Sequence, residues 1–198
     1  MASVIDICNL ALQRIGQTQP IASLEEQSKA AEICSQVYEM CRDTVLQDYL
    51  WPFATSWKRL AQMADPPTNW GYRYSYPPSC LKLRQIVVPG KRRLNPDDSP
   101  VYELQYHEGQ QTIITDTLDA EIIYTARVED PTLFSPSFVD ALAWRIAQEI
   151  AMPMSVNADI MNNARQMYEA MVSRAAEGAL NEVKQDKAPE SEFITGRR

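Results

Sequence analysis

Asp48-Tyr49-Leu50-Trp51-Pro52-Phe53-Ala54 is the stretch that divides this chain. Before it, apolar residues recur at helical spacing. After it, as far as Arg127, prolines, aromatics and β-branched residues dominate. Pro52 stops the preceding helix, because the residue before a proline is pushed out of helical geometry. Helical patterning returns at Pro131 and Ser135-Pro136. Read outward from this seam, the order is two helices, a β region, two helices and a polar tail.

The helical blocks carry their own punctuation. Ser3 caps a helix expected over residues 4–15, with Asp6 near the positive end of its dipole. Val4, Cys8, Ala11, Leu12 and Ile15 share one face, and Gly16 stops the helix. Ser23-Leu24-Glu25-Glu26 has capping-box spacing. It predicts a long helix from there to about residue 50 with Ala31, Cys34, Tyr38, Cys41 and Val45 as its stripe. Ser135 and Pro136 open a third helix as cap and first position. Phe138, Leu142, Ile146 and Ile150 form one face, and Ala143, Ala147 and Ala151 a flat row suited to close helix contact. Pro153 breaks it. A last helix over residues 156–179 aligns Ile160, Ala164, Met167, Met171 and Ala175.

The middle reads differently. Strands are expected over 83–88, 101–106, 112–115 and 120–125, with turns at Pro89-Gly90 and Glu108-Gly109. Residues 66–78 read as extended chain and turns. Within them Trp70, Tyr72, Tyr74 and Tyr76 alternate, which places their rings on one face. The expected fold class is mainly α with a β insertion (α+β): a helical bundle of about four helices carrying a small antiparallel β domain. The boundaries are a helical domain over 1–52 and 131–180, an inserted β domain over 53–130, and a flexible C-terminal tail over 181–198.

Bulk composition narrows the function classes. The chain has 198 residues, is 45% hydrophobic and 23% charged, and carries a net charge of −7. A chain of this length buries roughly 70% of its unfolded surface. Its acidity argues against a dedicated nucleic-acid-backbone binder, which needs a basic patch. No run of eighteen apolar residues exists, so no membrane span is expected, and the start lacks the features of a secretory signal. Cys8, Cys34, Cys41 and Cys80 form no Cys-x-x-Cys pair and read as buried free thiols.

Motifs that carry chemistry are scarce. The single histidine, His107, sits beside Glu108-Gly109 with no nucleophile signature to serve. His-Glu-x-x-His, zinc-type cysteine spacing and the EF-hand pattern are absent, and so are glycine-rich phosphate loops. No catalytic, cofactor-binding or metal-ligating residue is therefore assigned, and no cofactor is expected. Asp97-Asp98 and Asp116 with Asp119 read as solvated turn aspartates. The basic run Lys91-Arg92-Arg93 reads as a hairpin tip, either simply solvated or meeting an acidic partner or a DNA phosphate. The Trp70, Tyr72 and Tyr74 rings read as core packing or a subunit contact ahead of nucleic-acid stacking, and with the Ala143/Ala147 row and the Met167/Met171 face they are the candidate subunit interfaces, since interfaces favour aromatics and methionine. Phe193-Ile194 is an apolar pair in a polar tail and a candidate anchor on a partner.

One group of residues carries a family resemblance. Cys8-Asn9-Leu10-Ala11-Leu12 with Ile15-Gly16 opens the first helix, and Ser23-Leu24-Glu25, Ala30-Ala31 and Tyr38 mark the second. Trp51-Pro52-Phe53-Ala54 and Leu60 follow, then Tyr74, Pro77-Pro78, Tyr124, Arg127, Asp130-Pro131, and Phe138 with Ala141-Leu142-Ala143. Over roughly residues 1–180 this layout resembles the tail tubular protein A family, the head-to-tail adaptors of short-tailed phages and related prophages. The resemblance implies a structural virion protein of the phage neck, made and assembled in the host cytoplasm. It implies a ring of about twelve copies, each repeating one heterologous contact. The ring docks on the portal protein, presents the next tail component and lines the DNA exit channel. It implies no enzyme activity. The tail after Gly178 lies outside the resemblance, and from its own residues Phe193-Ile194 is a candidate anchor on the portal. Two alternatives stay open: a non-ring interaction module of phage or prophage origin, and a hydrolase using paired carboxylates.

Overall fold

The computed structural model describes residues 2–88 and 99–182. Among them, four helices and seven strands in two antiparallel sheets make a mixed α/β protein, 44% helical and 22% strand. The helices are α1 (Val4–Arg14), α2 (Lys29–Asp48), α3 (Pro136–Ala151) and α4 (Ala158–Glu182). The strands are β1 (Thr55–Arg59), β2 (Gln62–Met63), β3 (Tyr72–Ser75), β4 (Cys80–Val87), β5 (Tyr102–His107), β6 (Gln110–Thr115) and β7 (Glu121–Ala126).

This architecture corrects the expected helical bundle with a small β domain, for two physical reasons. First, β1, β2 and β3 are short and lie among prolines and charges, which hid them from a pattern search; with them the β part becomes two sheets with a core of its own. Second, the helices do not close around a shared axis as a bundle does. They gather on α3, which packs against α1, α2 and α4, while α1 and α2 meet only marginally.

Capping explains most helix starts. Ser3 Oγ accepts from the Asp6 amide at 3.1 Å, and the Ser3 amide donates back to Asp6 Oδ2 at 2.9 Å. Ser135 Oγ accepts from the Phe138 amide at 3.3 Å at the start of α3. The second helix begins later than its capping-box spacing predicts. Glu26 instead accepts from the Ala22 amide at 2.8 Å and from Ser28 Oγ at 2.7 Å, which closes a turn. Ser28 is the cap, accepting from the Ala31 amide at 3.2 Å.

Phe138, Ala141, Leu142, Ala143, Ile146, Ala147 and Ile150 of α3 are fully buried, together with Ile7, Leu12, Cys34, Cys41, Val45 and Leu46 of α1 and α2. All four cysteines are buried free thiols.

One sheet has the order β1-β7-β4 and the other β2-β3-β6-β5. Leu60, Tyr74, Leu83, Ile86, Ile113, Ala120, Ile122 and Tyr124, drawn from both, form the core between them. β1 passes through Leu60 and Ala61 directly into β2, so β1 and β2 share one flank of the sandwich. The Leu60 amide bonds Ala120 O at 2.9 Å, and Ala61 O accepts from the Ser75 amide at 3.0 Å. β4 and β5 close the opposite flank. The β5–β6 hairpin turns on Glu108 (φ 48°) and Gly109 (φ 80°), the left-handed pair that a two-residue hairpin requires.

Candidate functional site

The seam is a packed joint. Trp51 is buried, and its indole Nε1 donates to Val45 O at 2.7 Å. Its ring meets Tyr49 and Phe138 edge-on, each with centroids 5.1 Å apart. Phe138 also stacks on Phe53 at 5.0 Å and Phe134 at 4.7 Å. The first turn of α3 is thereby fixed to the exit of α2.

Arg84 on β4 joins the sheets to the helices. Its Nη2 donates to Gln47 O and Tyr49 O, each at 2.9 Å, and lies 3.3 Å from Leu46 O; its Nε donates to Thr125 Oγ1 at 2.8 Å. The last turn of α2 contains no basic residue, so the sheet supplies the positive charge that its carbonyls favour. Burial lowers the Arg84 pKa, with Asp48 opposing. Asp43 adds a second tie, bonding Arg42 and Arg127 at 2.9 Å each. On the far side of α3, Arg14 pairs with Asp140 and lies 4.1 Å from the Trp144 ring centre. Burial lowers the Arg14 pKa, partly offset by Asp140.

The Cys8 and Cys34 thiols meet inside the helical core, with Cys41 and Tyr38 nearby. Among the described residues no three His, Cys, Asp or Glu side chains come together in a way that could hold a metal. His107 ends β5, with Nε2 4.0 Å from Glu108 Oε1. One cleft of about 530 Å³ is lined by Leu24, Glu26, Ser28, Lys29 and Glu32. One of about 440 Å³ between α1 and the start of α3 is lined by Leu10, Phe134, Pro136 and Val139. No described helix is long and apolar enough to cross a membrane.

The expected interface residues divide. Tyr74 is 1% exposed, donates its hydroxyl to Thr117 O at 2.9 Å and lies in the β core. Ala143 and Ala147 are 0% exposed inside the helical core. These three are corrected to core positions, because the chain's own packing covers them and leaves no face for a second copy. Tyr72 is half-buried beside Tyr74, as alternation predicts, with ring centroids 6.3 Å apart. Trp70 is half-buried in the loop before β3, its indole N–H buried without a partner. Met167 and Met171 are half-buried on α4, and Met171 lines a groove of about 340 Å³ with Pro136, Asp140 and Arg174. Lys91, Arg92, Arg93, Phe193 and Ile194 lie outside the described residues, as do Asp97 and Asp98.

The exposed apolar side chains are mostly ones that sequence reasoning did not single out. Tyr106 is 79% exposed, Val101 73%, Met152 72% and Trp57 60%. Leu104, Leu118, Leu133 and Met40 are exposed as well. The only sequence signal was the alternation in Thr55-Ser56-Trp57-Lys58-Arg59 and in Tyr102-Glu103-Leu104-Gln105-Tyr106. It marks strands with two different faces but does not say which strands lie at an edge. Comparison with protein-family models and with curated proteins finds no match for the chain.

Proposed function

We propose that this chain is a structural subunit of a phage neck: a head-to-tail adaptor that repeats as a ring between portal and tail and lines the channel through which DNA leaves. The sequence layout that resembles the tail tubular protein A family supports this reading. The structural observation that carries it is the placement of large apolar side chains. Trp57 stands exposed on β1, and Val101, Leu104 and Tyr106 are exposed together on and just before β5, a grouping that suits a contact surface. A closed ring needs two different adhesive surfaces on every subunit, because the contact between neighbours is heterologous. The net charge of −7 fits a channel wall, since an acidic surface offers DNA phosphates little to hold. In this role the chain needs no cofactor and performs no catalysis; its partners are its own copies, the portal protein above and a tail component below.

Electron microscopy of the full chain mixed with the portal protein of the same phage or prophage genome tests the reading. The expected image is a ring of additional density seated on the portal. The reading is abandoned if the chain stays dispersed and the portal stays bare at every mixing ratio.

A further inference from the structure

Among the described residues the sheets end in four terminal strands, β1 and β2 on one flank and β4 and β5 on the other. Of these, β1 pairs only with β7 among the described residues, and β5 only with β6. Among the described residues no further strand lies beside the outer edge of β1 or of β5, which makes each a template for another strand. Natural edges are blunted by brevity, charge or a covering element. Here each edge combines exposed apolar side chains with charge of one sign. β1 carries Trp57 with Lys58 and Arg59, all exposed; β5 carries Leu104 and Tyr106 with Glu103, and Glu108 follows at the turn.

We propose that β1 of one copy pairs with β5 of a second copy, joining the sheets of neighbouring subunits edge to edge. The proposal rests on the ring reading above and names the surfaces that close it. The partner is a second copy and not a foreign strand because the two edges complement each other: basic against acidic, and apolar on both. Like edges would set Glu103 against Glu103, or Lys58 against Lys58, which is unfavourable.

Side chains alternate along a strand, so an antiparallel junction has few sensible registers. Setting Trp57 opposite Leu104 places Lys58 opposite Glu103 on the other face, and Thr55 opposite Tyr106. One register therefore pairs the aromatic with the aliphatic and the cation with the anion. Arg59 already pairs with Asp119 of its own chain at 2.6 Å, which leaves Lys58 as the cation for the junction. The contact is head-to-tail, so it propagates from copy to copy until rotation closes it.

The test is sedimentation velocity of the full chain over rising concentration, with electron microscopy of whatever assembles. The variants are Lys58→Glu, Glu103→Lys, the double exchange, and Trp57→Lys; all change exposed side chains, and circular dichroism checks that each folds. Wild type is expected to self-associate. Either single charge reversal should weaken association at least tenfold, and Trp57→Lys should do so too. The double exchange should restore it, and so should an equimolar mixture of the two single variants, since each then offers the edge the other lacks. If wild type assembles and the reversals leave assembly unchanged, this junction is wrong while the ring reading stands. If association stops at a dimer that survives Trp57→Lys, β5 pairs with itself and the junction is again wrong. If wild type remains a monomer throughout, and adds nothing to the portal in the microscopy above, both the junction and the ring reading fail.

Discussion

Replacing Arg84 with methionine isolates the tie between the sheets and the helices. Methionine keeps an unbranched apolar stem and removes the guanidinium. The loss falls on the C-terminal carbonyls of α2, which receive Nη2 at 2.9 Å from Gln47 and from Tyr49, and on Thr125 Oγ1, which receives Nε at 2.8 Å. Hydrogen bonds involving a charged group contribute about 1.5–3 kcal/mol each. Desolvation of the guanidinium, visible in its lowered pKa, offsets part of this. The carbonyls also regain water once the arginine is gone, because Tyr49 and Gln47 are only half-buried. Weighing these terms gives a loss of about 2–3 kcal/mol. For a chain of this size that is a drop of about 4–12 °C in Tm.

Urea unfolding at equilibrium, followed by circular dichroism and tryptophan fluorescence, measures it. Arg84→Lys should recover only part of the loss, since a single ammonium cannot reach the carbonyls and Thr125 in one geometry. A change below about 0.5 kcal/mol in Arg84→Met, the range of ordinary surface substitutions, would show that solvent serves these carbonyls as well as Arg84 does. The account of the joint would then be wrong.

Three further outcomes are expected. Ser135→Ala removes the cap from α3 and should cost about 1 kcal/mol in the same unfolding assay. Hydrogen bonds hold three carboxyls below their ordinary values: Asp6 through the Ser3 amide, Glu26 through the Ser28 hydroxyl and Asp130 through the Thr132 amide. Depressed carboxyls stabilise the fold above their unfolded pKa of about 4 and lose that contribution as pH falls through the lower folded values. The urea midpoint should therefore decline below about pH 4, and Asp6→Asn should make the decline shallower. At the alkaline end, burial pushes both Cys41 and Tyr38 up to about 12. Raised acids give stability that is whole below their unfolded pKa, about 8.5 for a thiol and 10 for a phenol, and is lost as pH rises toward the folded value. Stability should fall above about pH 9, and Cys41→Ala should delay the fall.

Local signals in this sequence were legible where a residue's own chemistry fixes its backbone. Ser3 with Asp6, Ser135 with Pro136, Gly16 and the Glu108-Gly109 turn all act within a few residues, and the structure places each as expected. Ser23-x-x-Glu26 shows the limit. Its spacing fits a cap, but Glu26 finds the Ala22 amide and Ser28, and the helix starts at Lys29. Strands β4 to β7 were visible from β-branched content. β1, with Thr-Ser-Trp-Lys-Arg, was not, because an edge strand buries little and so carries no apolar run. Sheet membership is non-local, which is why the alternating tyrosines could be placed on one face while Tyr74 could not be told from a surface residue. The same holds for Ala143 and Ala147: their period marks close contact but does not distinguish a neighbouring helix of the same chain from one in another copy.

Exposed apolar side chains occur on both parts of the molecule, and Trp57, Leu104 and Tyr106 lie on the flanks of the β sandwich, whereas the largest buried cluster lies among the helices. A contact made at Trp57 or Leu104 is therefore remote from the main source of stability. It gains rigidity only if the sandwich is held firmly to the helices. β7 lies next to β1 in the sheet, and its Thr125 accepts from Arg84, which in turn binds the end of α2. β7 also leads into Arg127, which bonds Asp43 on α2. The edge strand β1 is thus one hydrogen-bonded strand away from both ties, and its own start follows Trp51 and Phe53 within the aromatic cluster on α3. Among the described residues β5 is less directly held, since it pairs with β6 and through it with β3. A junction of β1 with β5 would pair a firmly anchored edge with a more compliant one. In the proposed ring, that asymmetry would let a repeated contact keep one fixed reference per subunit while the other side adjusts to the curvature of closure.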